Sequence, residues 1–476
     1  MAGFKDYDNY DALGLADLVR TGAVSAGELL DEALARVEAL NPQLNAVTFR
    51  FEAMARAAID GGLPDGPFKG VPFLLKDLGA SCLDTPLTNG SRLYEDFVCD
   101  HDSTLVARYK RAGLVIFGRS TSPELGVSYA TEPLLHGPAR NPWNPDHIPG
   151  GSSGGAAAAV AARILPAAHA SDGGGSIRVP ASCCGLFGLK PTRGRTPHGP
   201  DSGEGWAGMS VGHAITLSVR DSAALLDASA GADVGDPYWA PPPARAFADE
   251  VGADPGQLRI AVSAETPTGA PVDAECIAAM ERAATLCAEL GHRVEQAAPS
   301  YDKEDLADAF FKIVTANTLN GVIESGRGRG RDWVGEVENM TRAMAERGAS
   351  VSGADYTAAV DTIHRVGRQV ARFMLDHDVL LTPTMAKPPL PLGVLDMMSD
   401  DVDAYIAESG AFAGFPPLSN ATGAPAMSVP LYWTQTGLPV GAQFVGRFGD
   451  EATLLRLAGQ LEQAAPWAHR RPLLEV

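Results

Sequence analysis

The period of the apolar positions changes several times along this chain, and each change marks an element. Leu13, Leu15, Leu18 and Val19 recur at helical spacing until Gly22, which predicts a helix stop. Ser25 and Glu28 have capping-box spacing, and Leu29, Leu30, Ala33, Leu34 and Val37 extend a second apolar stripe behind them. Asn41-Pro42 predicts the end of that helix, and residues 11–60 as a whole read as helical. From Val71 the pattern changes. Val71-Pro72-Phe73-Leu74-Leu75 is a short unbroken apolar run, as in a buried strand, and leads straight into Lys76-Asp77. A helix over 102–112 and a buried strand at Leu114-Val115-Ile116-Phe117 follow.

Residues 150–195 are rich in Gly and Ser around an alanine helix that starts near Gly155. Residues 232–257 contain three consecutive prolines and no periodicity, and read as a loop or connector. Beyond them the pattern predicts a strand at 258–262, an amphipathic helix at 273–290 and a strand at 292–298. Residues 303–376 are mostly helical, with a break at the glycine-rich 326–330. Strands at 379–381, ending at Pro383, and at 426–431 and 440–445 precede a helix over 450–464. Strands alternating with helices argue for an α/β body with a mixed sheet covered by helices on both sides. No repeat or low-complexity linker divides the chain, so 1–476 reads as one domain. Within it, 60–231 and 376–476 form the expected body, and 232–375 a smaller lobe over the cleft.

Composition narrows the function. The chain has 476 residues, 45% of them hydrophobic and 20% charged, enough for a large core. A net charge of −20 repels phosphate backbones, so nucleic acid is not an expected partner. The six cysteines show no CxxC or Cys/His metal spacing, which suits reduced thiols in a cytosol. The acidic start, with no apolar h-region, argues against a signal peptide, and the apolar run 154–170 is interrupted by Arg163, Pro166 and His169. A cytoplasmic protein that does not span a membrane is expected.

The chemistry concentrates in Pro149-Gly150-Gly151-Ser152-Ser153-Gly154-Gly155 and Ser171-Asp172-Gly173-Gly174-Gly175-Ser176-Ile177-Arg178-Val179-Pro180. Two glycine-flanked serines are joined by an alanine-rich helix. Three glycines ahead of Ser176 let several N–H groups converge on one concavity, an arrangement worth roughly 3–4 kcal/mol per donor in acyl-transfer sites. Composition alone also allows a flexible loop. A Walker phosphate cradle needs Lys-Ser/Thr where alanines follow Gly155, and a nucleophile elbow needs a Gly-x-Ser-x-Gly that neither serine satisfies.

These segments, with Cys184-Gly185 and Gly188-Leu189-Lys190-Pro191-Thr192, resemble the signature of the amidase signature family. Gly70-Val71-Pro72-Phe73-Leu74-Leu75-Lys76-Asp77 resembles its lysine motif, and Asn141-Pro142-Trp143-Asn144 its lead-in. Gly423-Ala424-Pro425-Ala426 and Gly437-Leu438-Pro439-Val440-Gly441 resemble its C-terminal pattern. The resemblance covers nearly the whole chain and is weakest between about 232 and 375. It implies the family's fold and a serine hydrolase of amides. Ser176 would be the nucleophile, Ser152 the bridging serine after a cis peptide, and Lys76 the base. The 24-residue step from Ser152 to Ser176 matches the family's spacing and selects Ser152 over Ser153.

The chemistry is consistent with those roles. A serine hydroxyl needs a base, and a lysine serves as one only when burial, as in VPFLLK, favours its neutral form. The N–H groups of Gly173, Gly174, Gly175 and Ser176 are the expected oxyanion hole. Ser153, Asp172, Arg178 and Ser171 are expected to support it by hydrogen bonds, with Asp172 and Arg178 pairing. Cys183 and Cys184 read as packing, and His169 as a core or supporting histidine rather than a catalytic one. The resemblance implies no metal or cofactor, and a possible homodimer.

Thr131-Glu132-Pro133, Gly137 and Arg140-Asn141-Pro142-Trp143-Asn144 most resemble the branch that contains aminohexanoate cyclic-dimer hydrolases. That implies a small linear or cyclic amide substrate with an apolar acyl part, aryl acylamides and carbamates being alternatives. Tyr129, Glu132 and Asn317 are the candidate cleft residues. A glutamine-hydrolysing amidotransferase subunit is the competing class, and Val179 departs from the polar residue usual there after Ser-Ile-Arg.

Overall fold

The computed structural model describes residues 4, 6–267 and 269–474; residues 1–3 and 5, part of the acidic start discussed above, lie outside the described residues. Eleven strands form one sheet: β1 (Val47–Arg50), β2 (Pro72–Lys76), β3 (Val115–Ser120), β4 (Ala167–Asp172), β5 (Phe187–Lys190), β6 (Val211–Thr216), β7 (Arg259–Val262), β8 (Arg293–Gln296), β9 (Val379–Pro383), β10 (Ala426–Trp433) and β11 (Pro439–Val445). Their order is β1-β3-β2-β4-β6-β5-β10-β11-β9-β7-β8. Pairing is mixed. β2 runs parallel to β3 and β4, and β7 parallel to β8 and β9, while the strands between are antiparallel. Two strands from the 232–375 stretch thus close one edge of the sheet, and its helices Lys303–Arg329 and Gly353–Phe373 pack together beside it.

Most predicted elements form, and their ends follow local chemistry. Gly22, at φ 73°, caps the helix Ala12–Thr21, and the Ser25–Glu28 capping box opens the helix Ala26–Leu44. Two expectations need correction. Pro42 does not end its helix. Lacking only an N–H, it sits in the last turn, which closes at Asn45 in a left-handed conformation. Nor is 11–60 wholly helical, because the Asn41 side chain bonds both the N–H and C=O of Val47 and starts β1. The break expected within the glycine-rich 326–330 comes at its far end, where the helix Lys303–Arg329 stops. Each interior glycine costs only about 1 kcal/mol, and the chain turns left-handed at Gly330.

The Gly/Ser-rich stretch proves more regular than its composition suggests. It contributes β4 and β5, the helix Gly154–Ala161 and the helix Arg178–Cys184. The alanine helix is buried along its whole length and packs on β4, β2 and β3. A side chain at Gly155 would collide with the backbone of Thr121 and Ala46, so only glycine fits this approach. All six cysteines are free and buried. Among the described residues no helix is long and apolar enough to cross a membrane.

Candidate active site

The central parallel strands β2 and β4 pair only at Leu74 and Ala168, then separate. Beyond that point His169 Nδ1 accepts the Lys76 N–H at 3.2 Å, holding the separating ends in register. Burial keeps this imidazole neutral, with its pKa pushed down to about 3. A crevice outside the carboxyl ends of parallel strands is where α/β sheets commonly carry their sites. Here it receives Lys76 from β2 and Ser171 and Asp172 from β4.

Lys76 is fully buried, and its Nζ lies 2.7 Å from Ser152 Oγ and 3.1 Å from Ser171 Oγ. Burial pushes its pKa down to about 7, against the opposing pull of the Asp172 carboxylate. Ser152 follows a cis peptide bond from Gly151. Gly126, at φ 69°, lets the neighbouring loop close over it, since a Cβ there would lie 3.2 Å from Ser152 Oγ. Ser153 Oγ bonds the backbone of Ser171, tying the first serine segment to the end of β4.

The second serine segment is shaped by a buried ion pair. Asp172 accepts from Arg178 through both carboxylate oxygens and also from the N–H groups of Gly175, Ile177 and Arg178. Burial alone would raise its carboxyl, but Arg178 holds it far below the usual range. Arg178 also donates to Pro416 O, Ser419 Oγ, Asn420 Oδ1 and Gln443 Oε1. Asn420 Nδ2 in turn bonds Asp172 O and Oδ1 and Met209 O.

This network changes the expected set of oxyanion donors. Gly175 N–H is committed to Asp172 at 2.8 Å, which takes it out of the expected donor set. The N–H groups of Gly173, Gly174 and Ser176 have no acceptor among the described residues. The Tyr129 hydroxyl donates to Gly174 O at 3.0 Å.

Ser176 lines a cavity of about 530 Å³ together with Tyr129, Trp206, Phe310, Phe311, Met344 and Ile406. Its hydroxyl makes no hydrogen bond to Ser152, and links of this kind in catalytic sites commonly tighten only when substrate binds. Among the described lining residues Lys303 is the one charged side chain, and there is no carboxylate. Of the candidate cleft residues, Tyr129 lies on the cavity wall. Glu132 does not: its carboxylate accepts the N–H of Gly393. Asn317 is also absent from the lining, its amide bonding Ile313 O and the Tyr356 hydroxyl within and beside its helix. Glu132 is taken up by the backbone of the distant Gly393, and Asn317 by its own helix and Tyr356. Burial raises the Cys183 and Cys184 thiols well above the ordinary value, the reverse of an activated nucleophile. Among the described residues no three His, Cys, Asp or Glu side chains cluster to hold a metal.

Several site residues carried no recognisable motif. Phe310-Phe311 had one signal, a tandem aromatic pair on a helix with room for one apolar face. Trp206, Asn420 and Gln443 had none.

Sheet order, helix cover and the position of this site define the molecule as an amidase, an enzyme that hydrolyses amide bonds. Residues 28–455 match the family model described as Amidase, and the chain belongs to the amidase signature family. It is 38% identical to the 6-aminohexanoate-cyclic-dimer hydrolase of Paenarthrobacter ureafaciens, over 98% of this chain and 96% of that one. The solved structure of a 6-aminohexanoate cyclic dimer hydrolase complexed with substrate matches with a TM-score of 0.92, covering 98% of this chain and 99% of the other, at 38% identity. A bacterial aryl acylamidase of the same family matches with a TM-score of 0.87 at 26% identity, covering 98% of this chain and 99% of the other.

Proposed function

We propose that this amidase cleaves small linear or cyclic amides with an apolar acyl part, using Ser176 as nucleophile, Ser152 as proton relay and Lys76 as base. The observation that supports this best is a fully buried Lys76 amine, 2.7 Å from Ser152, beside an apolar cavity that Ser176 lines. With its pKa near 7, Lys76 has a lone pair available at neutral pH.

Ser176 Oγ attacks the amide carbonyl as its proton passes to Ser152, whose own proton passes to Lys76. The N–H groups of Gly174 and Ser176, with Gly173, receive the developing oxyanion. The tetrahedral intermediate collapses with cleavage of the C–N bond. The amine leaves with the proton returned from Lys76 through Ser152, and Ser176 is left as an ester. Water then adds to the ester by the same route, releasing the acid and restoring the serine. No step calls on a metal or cofactor.

Similarity to the cyclic-dimer hydrolases supports aliphatic amides, and the aromatic lining is compatible with aryl acylamides or carbamates. A glutamine-hydrolysing role has less support, because the described lining offers no carboxylate to an amino acid's ammonium group.

The test is amine release by purified protein and by Ser176→Ala, on 6-aminohexanoate cyclic dimer, aliphatic anilides, a carbamate and glutamine. Release from the apolar amides, with at least about 10³-fold loss in the variant, is the expected outcome. Activity on glutamine alone would move the assignment to the amidotransferase class. Undiminished turnover by the variant would remove Ser176 from the reaction.

A further inference from the structure

Two of the three glycines ahead of Ser176, Gly173 and Gly174, lie against aromatic side chains. A Cβ built on Gly173 would lie 2.9 Å from Cε3 and from Cζ3 of Trp206, so the indole rests directly on the loop backbone. A Cβ on Gly174 would lie 3.1 Å from the Tyr129 hydroxyl and 3.2 Å from Phe310 Cζ. Trp206, Tyr129, Phe310, Gly174 and Ser176 all line the same cavity.

Trp206 is held there by an unusual backbone. Trp206, Ala207 and Gly208 have φ of 54°, 53° and 75°, a left-handed turn closed by the Gly205–Ser210 bridge. Two consecutive non-glycine residues in that region are uncommon, and a bulky residue there is an outlier maintained by its surroundings. The surroundings here are the supports of the site itself. Arg193 Nε donates to Gly208 O and its Nη2 to Ala421 O, while Asn420 joins Met209 O to Asp172. The turn and the loop before Ser176 are therefore fixed to one another.

We infer that Trp206, with Phe310, forms a slot over the loop that carries Ser176 and selects amides unbranched at the acyl α-carbon. An acyl carbon placed for attack by Ser176, with its oxygen toward the free N–H groups, has its α-carbon beside these rings. A methylene or a flat group fits between rings already in van der Waals contact with the backbone. A second carbon substituent has to displace one of them. The inference rests on Ser176 being the attacking atom and specifies which acyl groups that reading admits.

The test compares hexananilide with 2-methylhexananilide. kcat/KM is measured for the wild type, Trp206→Ala and Trp206→Phe, and calorimetric affinity for Ser176→Ala with and without Trp206→Ala. The expected wild-type preference for the unbranched amide is about tenfold or more, the scale of one methylene in a fitted pocket. Trp206→Ala should collapse that ratio to within about threefold. It should do so mainly by improving the branched substrate, a gain that mere structural damage would not produce, and Trp206→Phe should restore part of the preference. The binding arm should show the same loss of discrimination. A preference absent from the wild type, or unchanged by Trp206→Ala in both arms, overturns the slot. If the wild type turns over neither anilide, anilides are excluded from its substrates. Calorimetry then decides the slot by itself: discrimination lost with Trp206 supports it, and discrimination retained rejects it.

Discussion

Lys76 is the residue on which the proposed chemistry turns, and its protonation gives a signed prediction. Burial lowers its pKa to about 7, so the amine is charged below that pH and neutral above it. Only the neutral form accepts the serine proton. kcat/KM should therefore rise with pH through an apparent midpoint near 7 and level off above it. A solvent-exposed lysine with its ordinary pKa would place that midpoint near 10.5. A pH–rate profile on any accepted amide checks this, and a rising limb centred near 10 would contradict the buried base. The lysine motif was legible because an apolar strand running into a lysine is a visible sequence feature. Glu132 was legible only as a polar residue in a motif and Asn317 had no motif beside it, and their side chains turn to Gly393, Ile313 and Tyr356 instead.

At the scale of elements, the loop around Glu124 and the helix Asn339–Gly348 meet through two buried carboxyls. Glu338 N–H donates to Glu124 Oε2 at 2.7 Å, and Glu338 Oε1 accepts from Leu134 N–H. Glu338 Oε2 has no partner among the described residues. Burial, then the Glu124 charge, raises the Glu338 pKa to about 8. In the unfolded chain that carboxyl ionises at its ordinary value of 4.5. Below 4.5 both states hold the proton, and between 4.5 and about 8 only the folded state does, so wild-type stability falls across that window and is level above it. Glu338→Gln removes the linkage while retaining an acceptor for Leu134. Its Tm should match the wild type near pH 4.5 and exceed it by several degrees at pH 8.5. A Tm difference independent of pH would show that this carboxyl does not titrate as described.

Across the whole molecule, Arg178 joins parts of the chain that sequence keeps far apart. It connects the end of β4 to the 416–420 segment and to Gln443 on β11, with every contact buried. Arg178→Met would leave the Asp172 charge buried and unpaired, a loss of about 3–5 kcal/mol in stability. Adding Asp172→Asn should recover a good part of that stability but not activity, because the Gly175 and Ile177 N–H groups would still lose their charged acceptor. Chemical denaturation of both singles and the double reads the coupling directly. Additive effects would mean that the pair does not act as a unit.

By itself the sequence determined the α/β character of the chain, most strand and helix positions, and the segments that carry Lys76, Ser152 and Ser176. These depend on apolar period, capping residues and glycine placement, all local properties of the chain. Strands β4 to β6 escaped that reading. Ala167–Asp172 is buried but contains Ala, His, Ser and Asp, so its strand character comes from pairing with β2 and β6 rather than from its own propensity. Tertiary structure alone decided which N–H groups ahead of Ser176 keep no acceptor, because the Asp172 carboxylate takes Gly175. It also decided the cavity wall, since Trp206, Phe310 and Ile406 come from segments that meet only when the sheet and its covering helices close around Ser176. Contacts between residues so distant in sequence leave no local pattern, because they are set by the packing of whole elements.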